Sequence, residues 1–246
     1  MRGRLEAYLL RYQLPDFLFL RAALPTGLVV FFLWMIVKTD GSRVDFATSQ
    51  GQRFTMQIFT TFAPVFINLA AFLGVTRLVT DDRSNGYFRF LFSKPVNIER
   101  FYVQQWVMHG VAYIAIAGAL TWWLQVYTAP VPVREVMIVM GLYWILLGGI
   151  GFALTAATNL DALLLVMVWV MSSVMHALRD APNSPMWGWL KPVSRLMPPT
   201  HKLDIIKAEL YAGNPMPMTD FTHVLAYGAI GFVVALVLLR RTSLAR

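Results

Sequence analysis

A chain of 246 residues with 57% hydrophobic residues, 14% charged residues and a mean hydropathy of +0.57 cannot be folded around one water-soluble core, which excludes the ordinary soluble enzyme and binding-domain classes. Spans need about 20 residues each, so there is room for about six membrane helices joined by short loops and for no sizeable soluble domain. A net charge of +8 matches the basic flanks that membrane topology requires and does not call for nucleic acid, and the absence of cysteine removes disulfides, thiolate metal sites and thiol catalysis.

The N-terminal stretch carries Arg2 and Arg4, but Glu6 and Arg11 interrupt any apolar core of a signal peptide, so the segment is expected to be retained. Leu5, Tyr8, Leu9 and Tyr12 share a helical face, and residues 1–15 read as a helix lying at the membrane surface and ended by Pro15. The first span follows at about 17–37, with Asp16 placed to cap it and Arg21 near enough to its end to snorkel. The second, about 54–76, contains Pro64 and Asn68, whose amide needs a partner inside the bilayer. Residues 80–100 are a charged interruption before the third span, about 101–126, which ends in the interfacial aromatics Trp122, Trp123 and Tyr127.

The fourth span, about 136–157, is rich in small residues, and Gly149, Ala153 and Ala157 recur every four residues, a face suited to close helix packing. Asn159 and Asp161 make a tight turn into the short fifth span, about 162–178. Residues 179–220 break the pattern with seven prolines and with Trp187 and Trp189, and include a helix from His201 to Ala212 that Thr200 can cap and Gly213 can stop. The last span is about 221–239. The fold class is therefore an all-α polytopic membrane protein, one transmembrane domain over 1–246 with six spans.

Orientation follows from the basic residues beside the spans, the long segment 179–220 being set aside. One side collects Arg2, Arg4, Arg11, Arg21, Arg77, Arg83, Arg89, Lys94, Arg100, Arg240, Arg241 and Arg246, while the short loops of the other offer Lys38, Arg43, Arg53 and Arg134. Both termini and residues 80–100 are thus expected in the cytoplasm, and 179–220 outside. Within 80–100, Tyr87, Phe88, Phe90, Leu91 and Phe92 fall on one arc of a helical wheel, with Asn85, Arg89 and Ser93 on the other. Asp81 and Asp82 suit the positive end of such a helix and Lys94 its negative end, and Pro95 stops it. An aromatic face of this kind suits lipid headgroups as well as a protein groove.

The run of acidic pair, Arg83, Gly86, aromatic-Leu segment, Ser93-Lys94-Pro95-Val96 and then a span resembles the cytoplasmic coupling loop between the second and third of six spans in ABC-2 type transporter permeases. Leu196-Met197-Pro198-Pro199, a following amphipathic helix, Gly213, the last span and Arg240-Arg241 resemble the family's external region and sixth span. The family often has Glu where this chain has Asp81 and Asp82.

The resemblance implies a permease subunit in the cell (inner) membrane, an exporter paired with a second permease subunit as homodimer or heterodimer. It also implies two copies of a separate ATP-binding subunit that carry ATP and Mg. Asp81, Asp82, Arg83, Gly86, Tyr87, Phe88, Arg89, Phe90, Leu91, Phe92, Lys94 and Pro95 would make the ATPase contact. By the same analogy Gln57, Phe62, Phe66, Asn68, Ser172 and Ser173, with Phe31, would line the substrate path. The chain itself has no G-x-x-x-x-G-K-[ST] sequence, so nucleotide chemistry is expected on the partner. No G-x-S-x-G or H-E-x-x-H occurs, and His109, His176, His201 and His223 are spread along the chain, so neither a catalytic site nor a metal site is expected. A membrane-embedded enzyme and a passive assembly factor are the competing classes.

Overall fold

The computed structural model describes residues 17–39, 45–84, 97–180, 191–193 and 197–244, and every regular element among them is helical. The N-terminal surface helix expected over 1–15, Asp16 and residues 85–96 of the charged stretch lie outside the described residues. A π-helical stretch, Phe17–Ala22, runs directly into α1 (Ala23–Thr39). Further helices among the described residues are α2 (Ser49–Val75), α3 (Thr80–Ser84), α4 (Ile98–Tyr127), α5 (Val133–Ala157), α6 (Asp161–Asp180), α7 (Thr200–Tyr211) and α8 (Met218–Leu244).

Among the described residues four runs are long and apolar enough to cross a membrane: Ser49–Ser84, Ile98–Tyr127, Val133–Ala157 and Met218–Arg241. The spans expected at 17–37 and 162–178 fall on the shorter apolar helices Ala23–Lys38 and Asp161–Met175. α2, α4, α5 and α8 each begin three or more residues before the span expected from the apolar pattern, and at two of them a polar cap sets the start. The Thr48 hydroxyl accepts the Gly51 N–H at 3.2 Å and starts α2 at Ser49. Asn97 Oδ1 accepts the Arg100 N–H at 3.0 Å and starts α4 at Ile98.

The chain forms two compact units, one made of Met1–Gly74 with Val103–Gly141 and the other of Val75–Tyr102 with Leu142–Arg246. In the first unit the start of the π-helical stretch is locked by rings. Phe17 stacks on His109 at 4.3 Å and meets Tyr113 edge-on at 4.9 Å, and all three are buried. The Gly74 carbonyl lies in the last turn of α2, where helix carbonyls lack intrahelical partners. It is taken by His109 Nδ1 at 2.8 Å and by Arg21 Nη1 at 3.5 Å, while the Tyr113 hydroxyl donates to the Arg21 carbonyl at 3.0 Å. Arg21, expected to snorkel, thus turns its guanidinium to a helix end.

In the second unit α5 and α8 touch backbone to backbone. A Cβ placed on Gly149 would meet the Gly228 carbonyl oxygen, and one on Gly231 would lie 2.9 Å from the Gly149 carbonyl carbon. The small-residue face of the fourth span therefore has its partner in the last helix, where Gly228 and Gly231 are three residues apart. Phe152 and Phe232 pack beside this crossing at 5.6 Å.

Helix α7 packs on α6 and α8. It ends in a Schellman motif, with Gly213 N–H on the Leu210 carbonyl (3.1 Å), Asn214 N–H on the Glu209 carbonyl (2.9 Å) and Gly213 at φ +78°. Gly213 stops the helix as expected, but Thr200 does not cap it: Pro199 occupies the cap position, with no side-chain cap bond. Leu24, Leu28 and Phe31 on α1 and Leu163, Met167 and Val174 on α6 are exposed.

Candidate functional site

The charged stretch begins where α2 ends, and its first turns are described. After Val75 the chain turns at Arg77, which has φ +63°, a left-handed conformation that L side chains seldom adopt. The Arg77 N–H donates to the buried Asp161 carboxylate at 2.5 Å, across from the first turn of α6. Two residues further on, the buried Thr155 hydroxyl accepts the N–H groups of Val79 (3.1 Å) and Thr80 (3.3 Å). A hydroxyl has two acceptor lone pairs and one proton. With both lone pairs taken, the Thr155 proton goes to Thr80 Oγ1 at 3.0 Å, and the Thr80 hydroxyl passes its own to the Thr158 carbonyl at 3.1 Å.

The same place accounts for two of the residues nominated for coupling. Arg83 Nη2 donates to the Ala156 carbonyl at 2.8 Å, at the negative end of α5. Asp82 Oδ2 accepts the hydroxyl of the fully buried Tyr102 at 3.0 Å. Asp81 stands beside them in α3, where its backbone carbonyl takes the Ser84 hydroxyl at 3.0 Å. The structure thus brings Asp82 and Arg83 onto helices of this chain. Gly86, Tyr87, Phe88, Arg89, Phe90, Leu91, Phe92, Lys94 and Pro95 lie outside the described residues.

The residues nominated for a substrate path are divided between the two units. Phe62 and Phe66 line an apolar cavity of about 30 Å³ in the first unit, with Val29, Leu33, Phe59 and Thr121. Phe32 stacks on Phe62 at 6.4 Å, Phe66 meets Tyr113 edge-on at 6.4 Å, and Phe31 is exposed. Asn68, two residues beyond Phe66 on α2, has a buried Oδ1 with no hydrogen-bond partner among the described residues. Gln57 is exposed, and its carbonyl takes the Thr61 hydroxyl at 2.9 Å.

Ser172 and Ser173 belong to the second unit. The buried Ser172 hydroxyl donates to the Pro198 carbonyl at 2.7 Å and lies 2.6 Å from Thr200 Oγ1, so it ties α6 to the connection that leads into α7. Ser173 bonds back to the Trp169 carbonyl at 3.0 Å. Tyr143 on α5 donates to Asp204 on α7 at 3.3 Å, and Lys202 pairs with Asp220 at 2.8 Å.

No group of His, Asp and Glu able to hold a metal occurs among the described residues. Asp161, expected only in a turn, and Thr155, Tyr102 and the Gly228/Gly231 pair hold contacts that the sequence did not assign. The last had a visible signal, a second pair of glycines on one face of an apolar helix; the others had none beyond polar residues at helix ends. No protein-family model, curated protein sequence or solved structure matches the chain.

Proposed function

We propose that the chain is the membrane-spanning permease subunit of an ABC-2 type transporter, an exporter driven by ATP hydrolysis on a separate subunit. In this reading it has six spans, α1 and α6 being the two short ones, with both termini and residues 80–100 in the cytoplasm of a cell whose inner membrane holds it. It pairs with a second permease subunit, identical or related, and each copy engages one ATP-binding subunit that carries ATP and Mg.

The observation that carries the reading is the stretch from Thr80 to Arg100: an acidic pair, an arginine, an aromatic-Leu face and Lys94-Pro95 between two apolar helices. Further support comes from its first turn being bound to this chain's own helices through Asp82 and Arg83, as a segment that receives force must be. Tyr87, Phe88, Phe90, Leu91 and Phe92 then supply the apolar anchors of the contact and Arg89 its charged rim. The path for substrate is assigned to the face bearing Phe62, Phe66 and Asn68.

The test is co-purification of the full chain with the P-loop ATPase encoded nearest to it. Phe90→Asp with Leu91→Asp is expected to abolish association and ATPase stimulation while membrane insertion is retained. Unchanged co-purification of that double variant refutes the coupling role.

A further inference from the structure

We propose that Thr155 and Asp161 are positioning residues that fasten the start of the charged stretch to the α5–α6 turn, so that displacement of the stretch is passed to α5 and α6 instead of being taken up between Val75 and Ser84. The transmission step rests on the coupling role argued above; the fastening does not.

A connection of four residues between two helices has soft dihedrals of its own, and a force applied beyond it would be absorbed there if nothing held it. Here the backbone is held at three points, two in the connection and one at the first residue of α3. The Arg77 N–H is fixed by the Asp161 carboxylate, and the Val79 and Thr80 N–H groups are fixed by the single hydroxyl of Thr155. The Thr80 hydroxyl adds a fourth bond, to the Thr158 carbonyl, and Arg83 a fifth, to the Ala156 carbonyl. The five bonds end on four acceptors within seven residues, from Thr155 to Asp161, which are the end of α5, the connection after it and the first residue of α6.

Thr155, Thr80 and Asp161 are buried, so these bonds do not compete with bulk water and act as fixed links. The left-handed Arg77 is the geometric reason Asp161 is needed, since an uncommon backbone conformation persists only where the surroundings hold it. Thr155 is the key position because one oxygen orders two amides and one hydroxyl. Valine keeps its shape and removes all three bonds, whereas serine keeps the hydroxyl.

The test uses the full chain in lipid nanodiscs. Thr155→Val is expected to raise hydrogen exchange at the Val79 and Thr80 amides by about tenfold or more while the amides of mid-α5 keep their protection, and Thr155→Ser to restore the slow rate. Unchanged exchange at Val79 and Thr80 in Thr155→Val overturns the fastening. Should that variant fail to fold, the pair Thr80→Cys with Thr155→Cys, placed in a chain with no cysteine of its own, decides the same point under copper-phenanthroline oxidation. The hydroxyls it replaces are 3.0 Å apart, so rapid cross-linking supports the fastening and its absence overturns it.

With the ATPase present, Thr155→Val is expected to co-purify at the wild-type level but to lose about tenfold of the stimulated ATP hydrolysis, with Thr155→Ser restoring it. Full stimulation in Thr155→Val overturns transmission. A wild-type chain that binds no P-loop ATPase overturns the transporter reading and transmission with it, while the exchange result still stands or falls alone.

Discussion

Adding one methyl group at Gly228 is expected to force α5 and α8 apart. A Cβ built there lies 2.5 Å from the Ile145 carbonyl oxygen and 2.8 Å from its carbon, whereas ordinary contact begins at 3.4 Å. The obstructing atoms are helix backbone and cannot rotate aside, so the axes must separate by roughly 1 Å. A gap of that size forfeits about a quarter to a half of each dispersion contact at the crossing, and overpacking of this kind costs about 1–3 kcal/mol.

Gly149→Ala meets the Gly228 carbonyl oxygen from the other side, and the same separation admits both methyls. The double variant is therefore expected to fall short of the sum of the single losses by about 1 kcal/mol. Three other glycines calibrate the result. Gly27→Ala faces open space and is expected to be neutral, and Gly141→Ala meets only Ile114 Cδ1 at 3.6 Å. Gly213→Ala also faces open space but sits at φ +78°, so it is expected to cost about 1 kcal/mol through its backbone alone. Reversible unfolding by SDS in mixed micelles, followed by fluorescence of the eight tryptophans, reads all five. Gly228→Ala no worse than Gly27→Ala, or strict additivity with Gly149→Ala, refutes the backbone crossing.

The polar links give three further expectations. Ser172→Ala removes the bonds to Pro198 and Thr200 from a buried site and is expected to cost about 1–3 kcal/mol, with faster proteolytic cutting near Pro198 as its specific sign. His109→Leu leaves the Gly74 carbonyl with only the longer bond from Arg21 and is expected to cost a similar amount, about 1–3 kcal/mol, in the same SDS titration. Lys202→Met breaks a partly exposed ion pair with Asp220 and is expected to cost no more than about 1 kcal/mol, a difference that shrinks in high salt.

The apolar helices were legible in the sequence because lipid imposes one coarse rule, a long run without charge, and α2, α4, α5 and α8 obey it. Their ends were less so. Thr48 and Asn97 start α2 and α4 several residues before hydropathy rises, since a cap extends a helix into polar surroundings that the membrane does not require. Gly149 was visible as part of a small-residue face, but its partner was not, because α5 and α8 are joined only through tertiary packing. Ser172 shows the harder limit. A serine in an apolar span looks the same in the sequence whatever it bonds, and its 2.7 Å bond to Pro198 joins segments that are 26 residues apart. The bonds of Asp82 to Tyr102 and of Arg83 to the Ala156 carbonyl join residues 20 and 73 apart in the chain, which no local pattern shows.

The second unit shows why such bonds gather where they do. A backbone group left unpaired in hydrocarbon is costly, so helix interiors satisfy themselves and the unsatisfied groups collect at helix ends and connections. Thr155 with Asp161 serves one end of α5 and α6, and Ser172 with Tyr143 serves positions farther along them, Tyr143 lying about 18 Å from Thr155 at 1.5 Å per residue. Between these polar levels the packing rests on Gly149, Gly228 and Phe152, groups with no directional bonds. Directional bonds fix which connection sits on which helix end, and the glycine crossing fixes how close the helices come. A change at Thr155 or Ser172 should therefore alter the geometry of a connection, whereas a change at Gly228 should alter stability while leaving each connection in its place.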